Sequence, residues 1–126
     1  MNAHPLPQSL YGDATRATGT PRSVEYQVFS QVTGRLNRAR RDGEPFSGLA
    51  AALQDNLRLW TAIATDVTSP GNDLPLQLRG QLADLAKFVR LHTHRVLRRE
   101  AEAGVLIEIN TAVMRGLSGQ PPESGK

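Results

Sequence analysis

Three histidines, scattered carboxylates, two asparagines on helical faces and two arginine clusters are the residues of this chain that could do chemistry. His92 and His94 come nearest to a metal pair. Two positions on a helix are about 200° apart around the axis, so the two rings point to different sides and do not easily share an ion. His92 falls on an apolar stripe and reads as a hydrogen-bonded core or boundary residue. His4 stands in an N-terminal stretch with no other candidate ligand. No carboxylate pair at helical spacing is accompanied by histidine, and there is no cysteine to give a disulfide, a thiolate ligand or a nucleophile. Gly43 and Gly48 lack the lysine and the serine or threonine of a phosphate-binding loop. Catalysis needs a converging set of such groups. The expectation is a protein that is not an enzyme, with no cofactor and no metal.

Arginine supplies nearly all the positive charge behind a net +3. Arg35, Arg38, Arg40 and Arg41 form one cluster, and Arg90, Arg95, Arg98 and Arg99 another. Both fall near expected helix C-termini, where cations suit the carbonyl-rich end, and they read first as solvated helix ends. Such clusters can also hold phosphate backbones. Asn56 and Asn110 lie on or beside apolar stripes. A buried amide left unpaired costs about 1–3 kcal/mol, so each is expected to tie its helix to a neighbouring backbone. Trp60, the single tryptophan, sits mid-stripe and reads as a core anchor.

These side chains need helices to position them. Thr20-Pro21 is a good helix start, with threonine as cap and proline where its missing N–H costs nothing. Glu25 lies near the positive end of that helix, and Val28, Phe29, Val32, Leu36 and Ala39 form its stripe. It stops before Asp42-Gly43. A second helix from Pro45–Ser47 to about Val67 carries Leu49, Leu53, Asn56, Leu57, Trp60, Ile63, Ala64 and Val67 on one side. After a turn at 68–73, Asn72 or Asp73 can cap a third helix, with Pro75 in its first turn. Leu78, Leu82, Leu85, Val89, His92 and Val96 line that helix, which runs to about Arg99 or beyond. Gly104 is expected to break the chain before a short last helix, striped by Leu106, Ile109, Val113 and Leu117 and stopped at Gly116.

The fold expected is all-α, a small bundle of about four helices with short connections. Residues 1–19, rich in Pro, Gly and Thr, read as a mobile N-terminal arm on which Tyr11 can still dock. Residues 20–117 form the helical domain and 118–126 a disordered tail. The start lacks the charged and apolar regions of a signal peptide, and no apolar run is long enough for a membrane span. The expectation is a cytoplasmic protein that does not engage a membrane.

The last helix is apolar on more than one side. Ile107 and Met114 share a face that is not its main stripe, and a helix of that kind is buried on several sides or offers a face to a partner. Leu91 on the third helix and Tyr26 on the first also point away from their stripes. These four are candidates for a partner-binding surface.

The order of motifs adds a resemblance. Tyr11 is followed ten residues later by Pro21-Arg22-Ser23-Val24-Glu25. Then come Ala52-Leu53-Gln54-Asp55-Asn56-Leu57-Arg58-Leu59-Trp60-Thr61, Asn72-Asp73-Leu74-Pro75 with Leu78-Arg79, and His92-Thr93 after Phe88-Val89. Leu106-Ile107-Glu108-Ile109-Asn110 and Met114-Arg115-Gly116-Leu117 close the series. In this order and spacing the chain resembles the FlaF family, flagellar biosynthesis regulators of alphaproteobacteria, from about Tyr11 to Leu117. The resemblance implies a regulator of flagellin production that contacts flagellin as an export chaperone would. It implies action alongside FlbT, a flagellin translation regulator that binds flagellin messenger RNA, and it brings no catalytic residue. Among the matched positions Leu53, Asn56, Trp60, Leu78 and Ile109 look structural. Arg22, Arg58 and Arg79 fall toward solvent or boundary sides and are further candidates for partner binding.

The expected function is therefore a non-enzymatic adaptor that binds flagellin and, with FlbT, couples flagellin synthesis to export and filament assembly. The alternative is direct post-transcriptional RNA binding through the arginine clusters. Few aromatics are present to stack on unpaired bases, so RNA contact is expected to be indirect or weak.

Overall fold

A computed structural model describes residues 21–117 of the chain, with side chains for 26–116. The expected arm and tail, Tyr11, the Thr20 cap and the side chains of Arg22, Glu25 and Leu117 lie outside these described residues. Within them are four α-helices and no strand: α1 (Pro21–Ala39), α2 (Phe46–Val67), α3 (Leu76–Leu97) and α4 (Gly104–Leu117). None is long and apolar enough to cross a membrane. Consecutive helices run antiparallel. Phe29 meets Trp60 and Arg35 meets Asp55 between α1 and α2, while Arg40 approaches Gly104 and Thr33 meets Asn110 between α1 and α4. Helix α1 packs on α2 and α4, and α2 packs also on α3. The seam between α3 and α4 is sparse, and the backbones of α1 and α3 do not come close to each other.

The core forms where the apolar arcs of α1 and α2 meet the stripes of α3 and α4. Phe29, Leu36, Leu53, Trp60, Val89 and Leu106 are its largest fully buried apolar side chains. Each contributes on the order of 1.5–3 kcal/mol by leaving water. Phe29 and Trp60 meet edge to face, with ring centroids 5.9 Å apart and an interplanar angle of 81°. That arrangement places the positive edge of one ring on the negative face of the other.

The buried arc of α2 is turned from the expected one. Leu59, Ala52 and Ala62 are buried, whereas Leu57 is half-exposed at the margin. The cause is packing on both flanks: α1 and α3 cover α2 from two sides, so its protected arc is wider than a single stripe and centred elsewhere. On α3 the stripe holds at Val89, His92 and Val96 and is joined by Ala86 and Thr93. It fails at Leu78, which is exposed. Helix α3 has no close backbone contact with α1 and little with α4, so nothing closes over its first turns.

Two junctions differ from expectation. Neither Asn72 nor Asp73 caps α3, whose N-cap is Pro75 without a side-chain hydrogen bond. Asn72 instead accepts from the Leu74 N–H at 3.0 Å and donates to the Asp66 carbonyl at 3.1 Å, so it fastens the turn to the end of α2. Gly104 does not break the chain; it is the first residue of α4. The break comes earlier, at Arg99, whose φ of 63° is left-handed. The Glu100 N–H donates to the Arg95 carbonyl at 2.8 Å and the Arg99 N–H to the Val96 carbonyl at 2.9 Å. This is the two-bond stop in which glycine is usual. An arginine there costs about 1–2 kcal/mol of backbone energy. Its guanidinium lies 4.2 Å from the centre of the Phe46 ring at the start of α2, a cation–π contact that offsets part of that cost.

Candidate partner-binding surfaces

At the middle of the bundle three helices share a polar knot. Asn110 of α4 accepts from the Trp60 indole N–H at 2.9 Å, and its amide donates to the Asn56 Oδ1 at 2.8 Å and to the Thr33 hydroxyl at 3.0 Å. Asn56 and Asn110 are wholly buried. The expected ties to neighbouring backbone are thus replaced by ties between side chains, because the two amides face each other across α2 and α4. The Asn56 Nδ2 finds no acceptor among protein groups. Turning that amide over would set two donors against each other, so the orientation is fixed by Asn110. The knot ties helices together: no ionisable group belongs to it, and no base accompanies the Thr33 hydroxyl.

His92 is buried, and its Nε2 lies 2.8 Å from the Glu102 carbonyl. It latches the end of α3 to the α3–α4 turn, as a hydrogen-bonded core residue should. His94 is exposed on another side. Among the described residues no group of histidine and carboxylate side chains could hold a metal ion.

The structure does not bring the four apolar candidates together. Tyr26 lies near the start of α1 and Leu91 near the end of α3, two helices whose backbones do not come close to each other. Both are exposed, Leu91 by 58%. Ile107 and Met114 are half-buried and pack against the core. Glutamate at Ile107 or Met114 therefore has to strip a charge of water at the edge of the core. Each substitution is expected to cost about 1–3 kcal/mol and to lower the thermal midpoint by about 4–8 °C per kcal/mol. Circular dichroism melts test this, and unchanged midpoints would return that face to the pool of free surfaces.

The three arginine candidates also separate. Arg58 is exposed and bonded to Asp55 at 3.1 Å, a carboxylate that also binds Arg35 of α1. Exposed pairs of this kind give only about 0.2–1 kcal/mol, so Arg58 can be recruited by a partner at little cost. Arg79 is half-buried, and its Nε is buried without an acceptor. The Arg22 side chain lies outside the described residues.

Helix α3 presents most of the exposed apolar surface. Leu76, Leu78, Phe88 and Leu91 all stand out from it. Phe88 is 43% exposed yet held, its ring stacked on that of His92 with centroids 5.3 Å apart. Reading the sequence alone identified Leu91, assigned Leu78 to the core and gave Phe88 no role. The missing information was which flank of α3 would lack a neighbour.

Arg40 and Arg41 of one arginine cluster and Arg98 and Arg99 of the other, by contrast, come to the same end of the bundle. The antiparallel order puts the ends of α1 and α3 and the starts of α2 and α4 together, and two contacts fix the meeting. Arg99 covers Phe46, and the Arg40 Nη1 lies 3.8 Å from where a Cβ on Gly104 would sit.

A family model described as "Flagellar protein FlaF" matches residues 7–117, which include the whole described bundle. No curated protein and no solved structure matches the chain. The match spans all four helices and the knot that joins three of them, and so the chain belongs to the FlaF family of flagellar proteins.

Proposed function

We propose that this FlaF-family protein is a non-enzymatic flagellar regulator that binds flagellin as a chaperone or adaptor and, with FlbT, couples flagellin synthesis to export and filament assembly. The observation that supports this reading is the exposed apolar pair Phe88 and Leu91, one turn apart on the same side of α3. An amphipathic helix of a partner laid along such a face would bury its apolar side as a third neighbour for α3. Phe88, already immobilised on His92, would lose little side-chain freedom on binding, which favours it as an anchor.

The test is capture of purified flagellin and purified FlbT on the immobilised protein, with and without ribonuclease. Flagellin is expected to be retained after ribonuclease treatment. Leu91→Glu, at an exposed site, is expected to weaken that retention about tenfold or more while leaving the thermal midpoint within about 0.5 kcal/mol equivalent. Retention that vanishes with ribonuclease would favour direct RNA binding instead. Flagellin binding unaffected by Leu91→Glu would move the docking face away from α3.

A further inference from the structure

We propose that the end of the bundle where α1 finishes and α2 begins is a docking site for an acidic, extended polypeptide segment. The site is a groove of about 550 Å³ between the two helices. Its walls carry Arg35, Arg38 and Arg41, and its lining includes Gly48, Ala51 and Ala52. Arg35 is engaged with Asp55. Among the described residues Arg38 and Arg41 have no carboxylate partner, although Glu44 stands in the same groove. Two guanidinium groups are thus left to donate planar, two-pronged hydrogen bonds to a visiting carboxylate. The floor is small side chains, and a Cβ built on Gly48 would meet nothing within 4 Å. A main chain can therefore come close to α2 there, which a floor of larger residues would prevent.

The wider surface favours a peptide over a nucleic acid. Arg98 and Arg99, past the end of α3, stand at the same end of the bundle on the other side of α2 and add to its positive charge. The charges are interleaved with carboxylates, however: Arg98 pairs with Glu100 at 3.3 Å, and Asp42, Glu44 and Glu102 are exposed nearby. A phosphodiester chain carries a charge at every step and would run against those carboxylates. A peptide with spaced acidic side chains can engage Arg38 and Arg41 and leave uncharged residues opposite them. An unpaired base would also lack an aromatic to stack on, since Phe46 is covered by the Arg99 guanidinium. This site lies on a different part of the bundle from the α3 pair, and it does not depend on flagellin being the partner.

The probe is a short fluorescent peptide of alternating glutamate and alanine. An alternating glutamine-alanine peptide and an oligouridylate of equal charge serve as comparisons. Binding to the full chain is read by fluorescence anisotropy at low and at physiological ionic strength. The acidic peptide is expected to bind, more tightly than the oligouridylate, and the glutamine peptide not at all. The double reversal Arg38→Glu with Arg41→Glu is expected to weaken binding about tenfold or more. Arg90→Glu, which makes the same kind of charge change on exposed α3 surface, should stay within about twofold. Gly48→Leu fills the groove without touching a charge, at a helical position with ordinary backbone, and is expected to weaken binding about tenfold while the protein stays folded. Failure of the acidic peptide to bind would overturn the proposal. So would tighter binding of the oligouridylate, an equal loss in Arg90→Glu, or unaltered binding in Gly48→Leu.

Discussion

Trp60→Ala is expected to lower the unfolding free energy by about 3–5 kcal/mol, a large part of the roughly 5–15 kcal/mol available to a domain of this size. Three losses combine. The indole is 1% exposed, so its removal opens a cavity that Phe29, Leu53 and Val89 can only partly fill. The edge-to-face contact with Phe29 disappears. The Asn110 Oδ1 loses its donor in a buried site. Urea unfolding followed by far-ultraviolet circular dichroism measures the change. Native fluorescence of the unmodified chain should be blue-shifted and poorly quenched, because this single tryptophan reports on the centre of the core. A midpoint displaced by less than one would expect for an exposed residue, about 0.5 kcal/mol, would remove Trp60 from the core.

Asn110→Leu should be about as damaging, for a different reason. Leucine has the same branched heavy-atom skeleton with bulkier ends, so no cavity is opened. What is lost is every bond of the knot. The Trp60 N–H and the Asn56 Oδ1 become buried and unpaired, and the Thr33 hydroxyl loses its donor. Each orphaned group costs about 1–3 kcal/mol, and the joint cost is expected near 3–5 kcal/mol because neighbouring losses are not additive. A double-mutant cycle with Trp60→Phe isolates the indole bond. Phenylalanine carries no N–H, so in that background Asn110→Leu should cost less, with a coupling of about 0.5–3 kcal/mol. A leucine variant as stable as the parent would show that the amides serve specificity and add nothing to stability.

The helices themselves were legible because the signals for them are local. Prolines near the starts, apolar residues at helical spacing and glycines in the turns gave four elements in the right order. Phe29, Leu36, Leu53, Trp60, Val89 and Leu106 were read as core, and all are buried. What failed depends on neighbours that periodicity does not report. Leu57 and Leu59 are equally apolar, and only the position of α1 and α3 around α2 decides which is covered. Leu78 obeys the stripe of α3 yet stays exposed because that helix outruns its neighbours. Asn56 and Asn110 were recognised as needing partners, but a separation of 54 positions conceals that each is the other's partner. The stop at Arg99 was missed because the residue usual at a left-handed position is glycine, and a cation–π contact to Phe46 cannot be read from spacing. For the partner surface the sequence supplied the residue types, and the topology decided the grouping. The apolar four were dispersed, whereas members of two arginine clusters far apart in the chain were brought to one end.

The knot has a consequence for synthesis. Its members lie at positions 33, 56, 60 and 110, and the ribosome makes the joining residue last. Fifty positions separate the indole from its acceptor, so at roughly 5–20 residues per second the nascent chain spends about 3–10 s with Trp60 made and Asn110 not yet added. During that interval α1, α2 and α3 are synthesised, but the cleft that Leu106 and Asn110 will fill cannot yet be closed, and an indole donor and an amide are left to face it. The domain therefore closes from its C-terminal side, in a single late step. A chain ending before Gly104 would be a three-helix intermediate whose open flank is shaped for an apolar helix bearing one amide.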